Sequence, residues 1–189
     1  MLLRFRASNH LSIWQSQELS FVASVLKDTP AHLLPAGKER VLPAIGLYGA
    51  NASGKSNVVR ALAFFVRQIV DSQTGRNAGD PIPRQPFRLN AEAAATPSDF
   101  DCDVMLEGVR YHYGFSLDGA RVHEEWLYAW PASRRQVWFH RDHSADTPFH
   151  FGGHLKGHNK HIAEFVRHVS LFLSDSADHM LEQLSPLYR

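Results

Sequence analysis

The segment Gly49-Ala50-Asn51-Ala52-Ser53-Gly54-Lys55-Ser56 constrains this chain more than any other. It fits the spacing G-x-x-x-x-G-K-[ST] at every fixed position. Average composition would produce such a match in on the order of one chain of this length in a hundred. The flanks narrow it further. Val41 to Tyr48 is short and apolar, the pattern of a buried strand. From Gly54 to Val70, the residues Val58, Leu62, Phe65, Val66 and Ile69 recur at three- and four-residue spacing, the pattern of an amphipathic helix. A strand, a glycine-rich turn and a helix in that order present successive backbone N–H groups at a helix N-terminus, where an anion is held. The glycines admit main-chain conformations barred to side chains and allow close approach to phosphates. Lys55 then places an ammonium against the β- and γ-phosphates of a nucleotide, and Ser56 offers a hydroxyl to Mg²⁺. Asn51 is a weaker candidate for donating to a phosphate or orienting water. The plain alternative is a glycine-rich turn with an exposed lysine, but Gly54-Lys55-Ser56 at a helix start contributes little to packing.

Composition sets the outer bounds. The chain has 189 residues, 44% hydrophobic and 21% charged, with a formal net charge of +1. Twelve Gly and ten Pro exclude a collagen-like or wholly disordered chain. The charge balance shows no global excess that would attract nucleic acid or anionic lipid. A single cysteine, Cys102, cannot form an internal disulfide and fits a reducing compartment. Met1 to Arg6 lacks the apolar block of a signal peptide, and the longest clean apolar run, Ala61 to Val66, is far too short to span a bilayer. A cytoplasmic location is expected.

The rest of the chain divides by pattern. Leu3, Phe5 and Ala7 alternate with Arg4, Arg6 and Ser8, so residues 1–26 are predicted to hold two short strands, the second over Leu19 to Leu26. Lys27 to Lys38 and Asp71 to Pro86 read as loops. Residues 100–141 predict an antiparallel meander, with Asp118-Gly119 as a hairpin turn. Residues 142–157 read as a loop, and helical patterning resumes with Ile162, Phe165, Val166 and Val169. These boundaries give a loop-bearing lobe over 1–90, an antiparallel β-lobe over 91–145 and a helical segment over 146–189.

With those segments in view, Tyr48 to Asn57 resembles the P-loop of the ABC-type, AAA-annotated ATPases related to the SMC, RecF and OLD groups, bacterial proteins often found in phage defence. Met1 to Phe5 with Asn9 and Ser12, then Glu18-Leu19-Ser20, resemble that family's opening strand pair. Pro86-Phe87-Arg88-Leu89, Pro97 to Phe100, Tyr111 to Phe115 and Glu124 to Tyr128 resemble its β-rich lobe. Leu171-Phe172-Leu173-Ser174 and Leu184 to Tyr188 resemble the segment after it. The resemblance implies an α/β fold: the N-terminal lobe of a P-loop NTPase, an ABC-type ATPase head, with an antiparallel β-rich subdomain. It implies Gly49 to Ser56 as the ATP-binding residues and Ser56 as the Mg²⁺ ligand.

The resemblance also marks departures. Between Asn9 and Ser12 the family usually has an aromatic residue and an arginine; this chain has His10 and Leu11, which removes a cation expected near the nucleotide. The family's glutamine after Phe-Leu-Ser aligns with Asp178, and Gln183 is out of register. No apolar run ends in Asp-Glu, the pair that activates water in such ATPases. Val169 to Leu173 followed by Ser174-Asp175 is the nearest imitation, and Gly152-Gly153 lacks the preceding Ser of a signature motif. The expectation is ATP binding with Mg²⁺ by the N-terminal half of a head, ending before the Walker B strand. Hydrolysis would need a C-terminal half or second head, coupled to an effector such as a nuclease, with nucleic acid reached only through that complex. The catalytic residues are unknown from the sequence. A non-hydrolysing, nucleotide-responsive scaffold is the alternative; a small-molecule kinase fits less well, because residues 100–141 do not resemble a basic lid with an acceptor pocket.

Weaker signals remain. His150, His154, His158 and His161 have spacings that would align ligands on a helix, but Gly152, Gly153 and Gly157 argue for a loop instead. Glu124 and Glu125 are neighbours on a predicted strand, so they point to opposite faces and cannot act as a pair. Arg134 to Arg141 interleaves cations with aromatic residues, a mild nucleic-acid signal, against the plainer reading of a strand with a charged edge. Cys102 lies between Asp101 and Asp103, a setting that disfavours a thiolate.

Overall fold

A computed structural model describes residues 1–24, 32–73, 75, 80–178 and 183–188. Val25 and Leu26, the end of the second expected strand, lie outside the described residues.

Alternation in the first residues produces β1 (Leu2–Ser8), which pairs with β2 (Gln17–Ser20) through a short connection. β3 (Leu34–Ala36) and β4 (Glu39–Val41) form a separate hairpin, tied back by a Val22–Val41 bridge. The meander follows as β5 (Ser98–Leu106), β6 (Val109–Leu117), β7 (Val122–Trp130) and β8 (Gln136–Asp142), and β9 (Phe149–Phe151) closes the edge. The result is one antiparallel sheet of seven strands, in the order β2-β1-β5-β6-β7-β8-β9. Asp118-Gly119 lies in the β6–β7 turn, as its sequence predicts.

One helix dominates the inner face. α1 (Lys55–Asp71) buries Ala61, Phe65 and Gln68 against the sheet. Phe65 stacks on Phe115 at 5.3 Å and touches Phe5 at 5.5 Å and Tyr113 at 6.0 Å. The strand residues it meets belong to the buried alternation Phe5, Phe100, Tyr113, Phe115. A 3-10 turn over Ala91–Ala94 and three short helices, α2 (Asn159–Phe165), α3 (Phe172–Asp178) and α4 (Ser185–Tyr188), complete the described elements. Among the described residues, no helix is long and apolar enough to cross a membrane.

Four sequence expectations need correction. The strand expected over Val41–Tyr48 ends at Val41; after Leu42 bonds to the Phe21 carbonyl, the segment has no strand partner among the described residues. An apolar strand of this kind needs neighbours to satisfy its backbone, and no described segment supplies them. Leu47 and Tyr48 are accordingly 40% and 95% exposed. Second, the loop expected over 142–157 contains β9, because Phe149 and Phe151 stack on each other and both pack at a tilt against Phe172. Third, α2 stops at Phe165, where the chain turns extended at Val166. Fourth, the loop expected over Lys27 to Lys38 contains β3, because Leu34 to Ala36 pairs with β4 and buries Ala36 beside Leu3 and Val41. The stretch Val169 to Asp175 stays within the expected helical segment. It enters α3, whose first amides, Phe172 N–H and Leu173 N–H, donate to the buried Glu125 carboxylate at 2.6 and 3.0 Å.

His10 follows Asn9 in the β1–β2 connection. It is buried, with its ring 4.9 Å from Phe64 and 5.2 Å from Phe100. Burial lowers its pKa to about 4. As pH falls from 6.5 towards 4, the unfolded chain gains a proton that the folded chain refuses, so stability declines across that window. The expected loss is about 3 kcal/mol. His10→Phe should flatten the acid side of the stability–pH curve by that amount, measured by urea unfolding from about pH 7 to about pH 4.

Candidate functional site

The loop from Gly49 to Gly54 joins the unpaired segment to α1. Its backbone has positive φ at Gly49 (154°), Ala52 (64°) and Gly54 (92°), the last being the cap of α1. Glycine serves the first and last of these; Ala52 accepts a conformation that costs an L-residue roughly 1 kcal/mol. Lys55 begins the helix and folds back over the loop, donating to the Gly49 carbonyl at 2.8 Å and the Ala50 carbonyl at 2.6 Å. Gly49, Ala50, Asn51, Ala52, Ser53 and Ser56 are exposed, and Gly54 and Lys55 are half-buried.

The β1–β2 connection braces this loop through residues whose part was not legible beforehand. Asn9 is buried in a left-handed conformation (φ 47°). Its amide donates to the Ala93 and Thr96 carbonyls at 2.8 and 2.7 Å, and its oxygen accepts from Phe87 N–H at 3.0 Å. That anchor presents Ser12 to the helix start. Asn57 donates to Ser12 Oγ at 2.8 Å, and a Cβ on Gly54 would lie only 3.1 Å from the same oxygen. The signal for this brace was the pairing of Asn9 and Ser12 with a polar Asn57 one residue past the loop.

A cavity of about 520 Å³ opens beside the loop. Phe5, Ala7 and Val58 line it together with Trp14, Tyr48 and Lys55. Glu18 is a carboxylate in its lining, and it lies 3.9 Å from both Arg4 and Arg6.

The other sequence candidates fall elsewhere. Glu125 is fully buried, and besides the two α3 amides it accepts from the Tyr113 hydroxyl at 2.9 Å. Burial pushes its carboxyl up, opposed by Arg141 and these donors. Glu124 is exposed on the opposite face. Burial and the neighbouring Asp101 and Asp103 push the Cys102 thiol far up, so it stays protonated. His150 lies in β9, His154 in the following loop, His158 before α2 and His161 within it. Gly152 is a packing position, since a Cβ there would strike the Val137 carbonyl at 1.7 Å. Gln183 accepts from Lys156 N–H at 2.7 Å; nothing is described of the Asp178 side chain.

The sequence model of one family, described as "AAA domain, putative AbiEii toxin, Type IV TA system", matches residues 44–185, three quarters of the chain. The chain belongs to this family. The matched region of this AAA-domain protein starts just before the loop and reaches the first residue of α4, so it holds both the loop and most of the sheet. An AAA-type domain points to nucleotide binding, and a mostly antiparallel sheet with few helices is consistent with an α/β nucleotide-binding fold. No curated protein matches the chain.

Because Asn9 ties the Ala93 and Thr96 carbonyls to the Phe87 amide, Asn9→Ala removes three hydrogen bonds at once and leaves Phe87 N–H without its acceptor. The expected cost is about 3 kcal/mol of stability, read as a lower denaturant midpoint with an unchanged slope.

Proposed function

We propose that this protein binds ATP with Mg²⁺ as the P-loop lobe of an ABC-type ATPase head of the OLD, RecF and SMC kind. The observation that carries the reading is the loop's positive-φ backbone ahead of a seventeen-residue helix that begins with Lys55. A positive-φ backbone of this kind allows successive amides to turn towards one point, and the helix N-terminus adds a partial positive charge. The residues present fit a triphosphate. Amides from Gly49 to Ser56 would surround the β-phosphate, and Lys55 would exchange the Gly49 and Ala50 carbonyls for phosphate oxygens. Ser56 would hold Mg²⁺, which when bound neutralises charge on the phosphates. The base would enter the neighbouring cavity beside Trp14 and Tyr48.

Turnover needs more than this clamp, because phosphoryl transfer also requires a group that orients water. α3 occupies the segment that most resembled a strand ending in acid. Val59, Ala63, Val66 and Val70 form an exposed stripe along α1, and Leu47 and Tyr48 are exposed in the segment before the loop. An apolar surface of that kind is expected to be covered by a partner. The reading therefore assigns hydrolysis to this lobe only in company with a complementary half or second head, with an effector such as a defence nuclease downstream. A nucleotide-responsive scaffold without turnover is the second reading, favoured by the same lack of a water-orienting acid among the described residues. Adding a complementary half separates the two: turnover supports the first, and continued silence the second.

Lys55→Ala should weaken Mg-ATP binding by at least roughly a hundredfold, the loss expected for a charge-assisted phosphate contact. Its melting temperature should match the wild type, because the partners of the ammonium are exposed carbonyls. Calorimetric titration decides; an unchanged affinity refutes the site.

A further inference from the structure

The cation–aromatic run Arg134 to Arg141 does not survive folding as one surface. Trp138, Phe139 and Arg141 turn into the core, at 7%, 0% and 3% exposure. Arg135 instead joins side chains from other strands on the outer face of the sheet, opposite α1. Its guanidinium lies 5.0 Å over the Tyr128 ring, and that of Arg110 lies 5.0 Å over Trp130. His112 stacks on Tyr128 at 5.9 Å with the rings nearly parallel, and accepts from Trp126 Nε1 at 3.1 Å. Gly114 makes room for this row, since a Cβ there would sit 2.5 Å from the Trp126 indole. A depression of about 370 Å³ is lined by Arg4, Arg6, Arg110, Tyr128, Trp130 and Arg135, with His112, Glu18 and Asp103.

The charges on this face are layered. Asp103 is only 3% exposed at its side chain and is committed to Arg110 at 3.0 Å, His112 at 3.3 Å and Arg4 at 3.6 Å. Asp101 is committed to Arg6. The arginines above them reach solvent, with Arg6 36% and Arg110 37% exposed, and Arg134 and Arg135 exposed at the turn. Glu18 is the exposed carboxylate of the lining. Guanidinium groups outward, acids beneath and flat rings between them match a ligand that alternates phosphates with planar bases.

We propose that this outer face, centred on Arg110, Tyr128, Trp130 and Arg135, binds a single-stranded polynucleotide. Arg110 and Arg135 leave the ring faces they cover for backbone phosphates, which also meet Arg6 and Arg134, and bases take their places against Trp130 and Tyr128. Stacking of this kind needs bases with free faces, which a duplex hides. The site is on the opposite side of the sheet from α1 and does not depend on the nucleotide reading.

The test is fluorescence anisotropy of labelled fifteen-nucleotide oligo(dT) and oligo(U) with the full chain. Binding of either is expected, weakening roughly fiftyfold between 50 and 200 mM salt for four phosphate contacts on a single strand. Arg135→Ala, an exposed position, should weaken it at least fivefold. Tyr128→Leu should do the same while Tyr128→Phe, which keeps the ring, binds as wild type. Lys55→Ala should bind as wild type. No binding by the wild type overturns the proposal, as does indifference to both Arg135→Ala and Tyr128→Leu. Tighter binding of a fifteen-pair duplex, or binding only to vesicles containing anionic lipid, also overturns it.

Discussion

Packing of α1 on the antiparallel sheet is the constraint from which the candidate nucleotide site follows. Phe65 sits among Phe5, Tyr113 and Phe115, three residues from two strands that are not neighbours in sequence. Full burial of one such ring contributes about 2–3 kcal/mol. That contact sets where the helix begins, and so where Gly54 and Lys55 stand. The loop itself contributes almost nothing to the core, since its residues are exposed or half-buried. Its helix end is fixed by α1 and by Ser12, which the Asn9 anchor holds against Asn57 and Gly54, and its other end is tied back by Lys55 through the Gly49 and Ala50 carbonyls.

Lys55 shows why the same loop suits an anion. Its ammonium is held by carbonyls of the loop it helps to close. Those are neutral acceptors, so a triphosphate offers the lysine a stronger partner of opposite charge. Ligand binding can therefore replace two intraloop bonds without unpicking the helix or the sheet.

Much of this was written in local pattern. The meander over 100–141, the Asp118-Gly119 turn and the span of α1 follow from period and turn chemistry, which act between near neighbours. What could not be seen depends on distant partners. Val41 to Tyr48 carries the apolar content of a buried strand, but strand pairing is a property of neighbours, and none of the described segments reaches it. β9 forms because Phe149 and Phe151 meet Phe172, over twenty residues later. In the candidate site, Gly49 to Ser56 was legible as a turn that opens a helix, because that pattern is local. Asn9, Ser12 and Asn57 were not assigned as its brace, because their contacts cross between elements. The run Arg134 to Arg141 is divided between the two faces by strand alternation, and a bulge against β7 turns both Trp138 and Phe139 inward.

The most direct measurement is a crystal structure with Mg²⁺ and a non-hydrolysable ATP analogue. The account predicts a β-phosphate enclosed by the amides between residues 49 and 56, the Lys55 ammonium turned from its carbonyl partners onto phosphate oxygens, and the metal on Ser56. A loop that keeps Lys55 on Gly49 and Ala50 at saturating analogue, with the triphosphate absent or bound elsewhere, would contradict it.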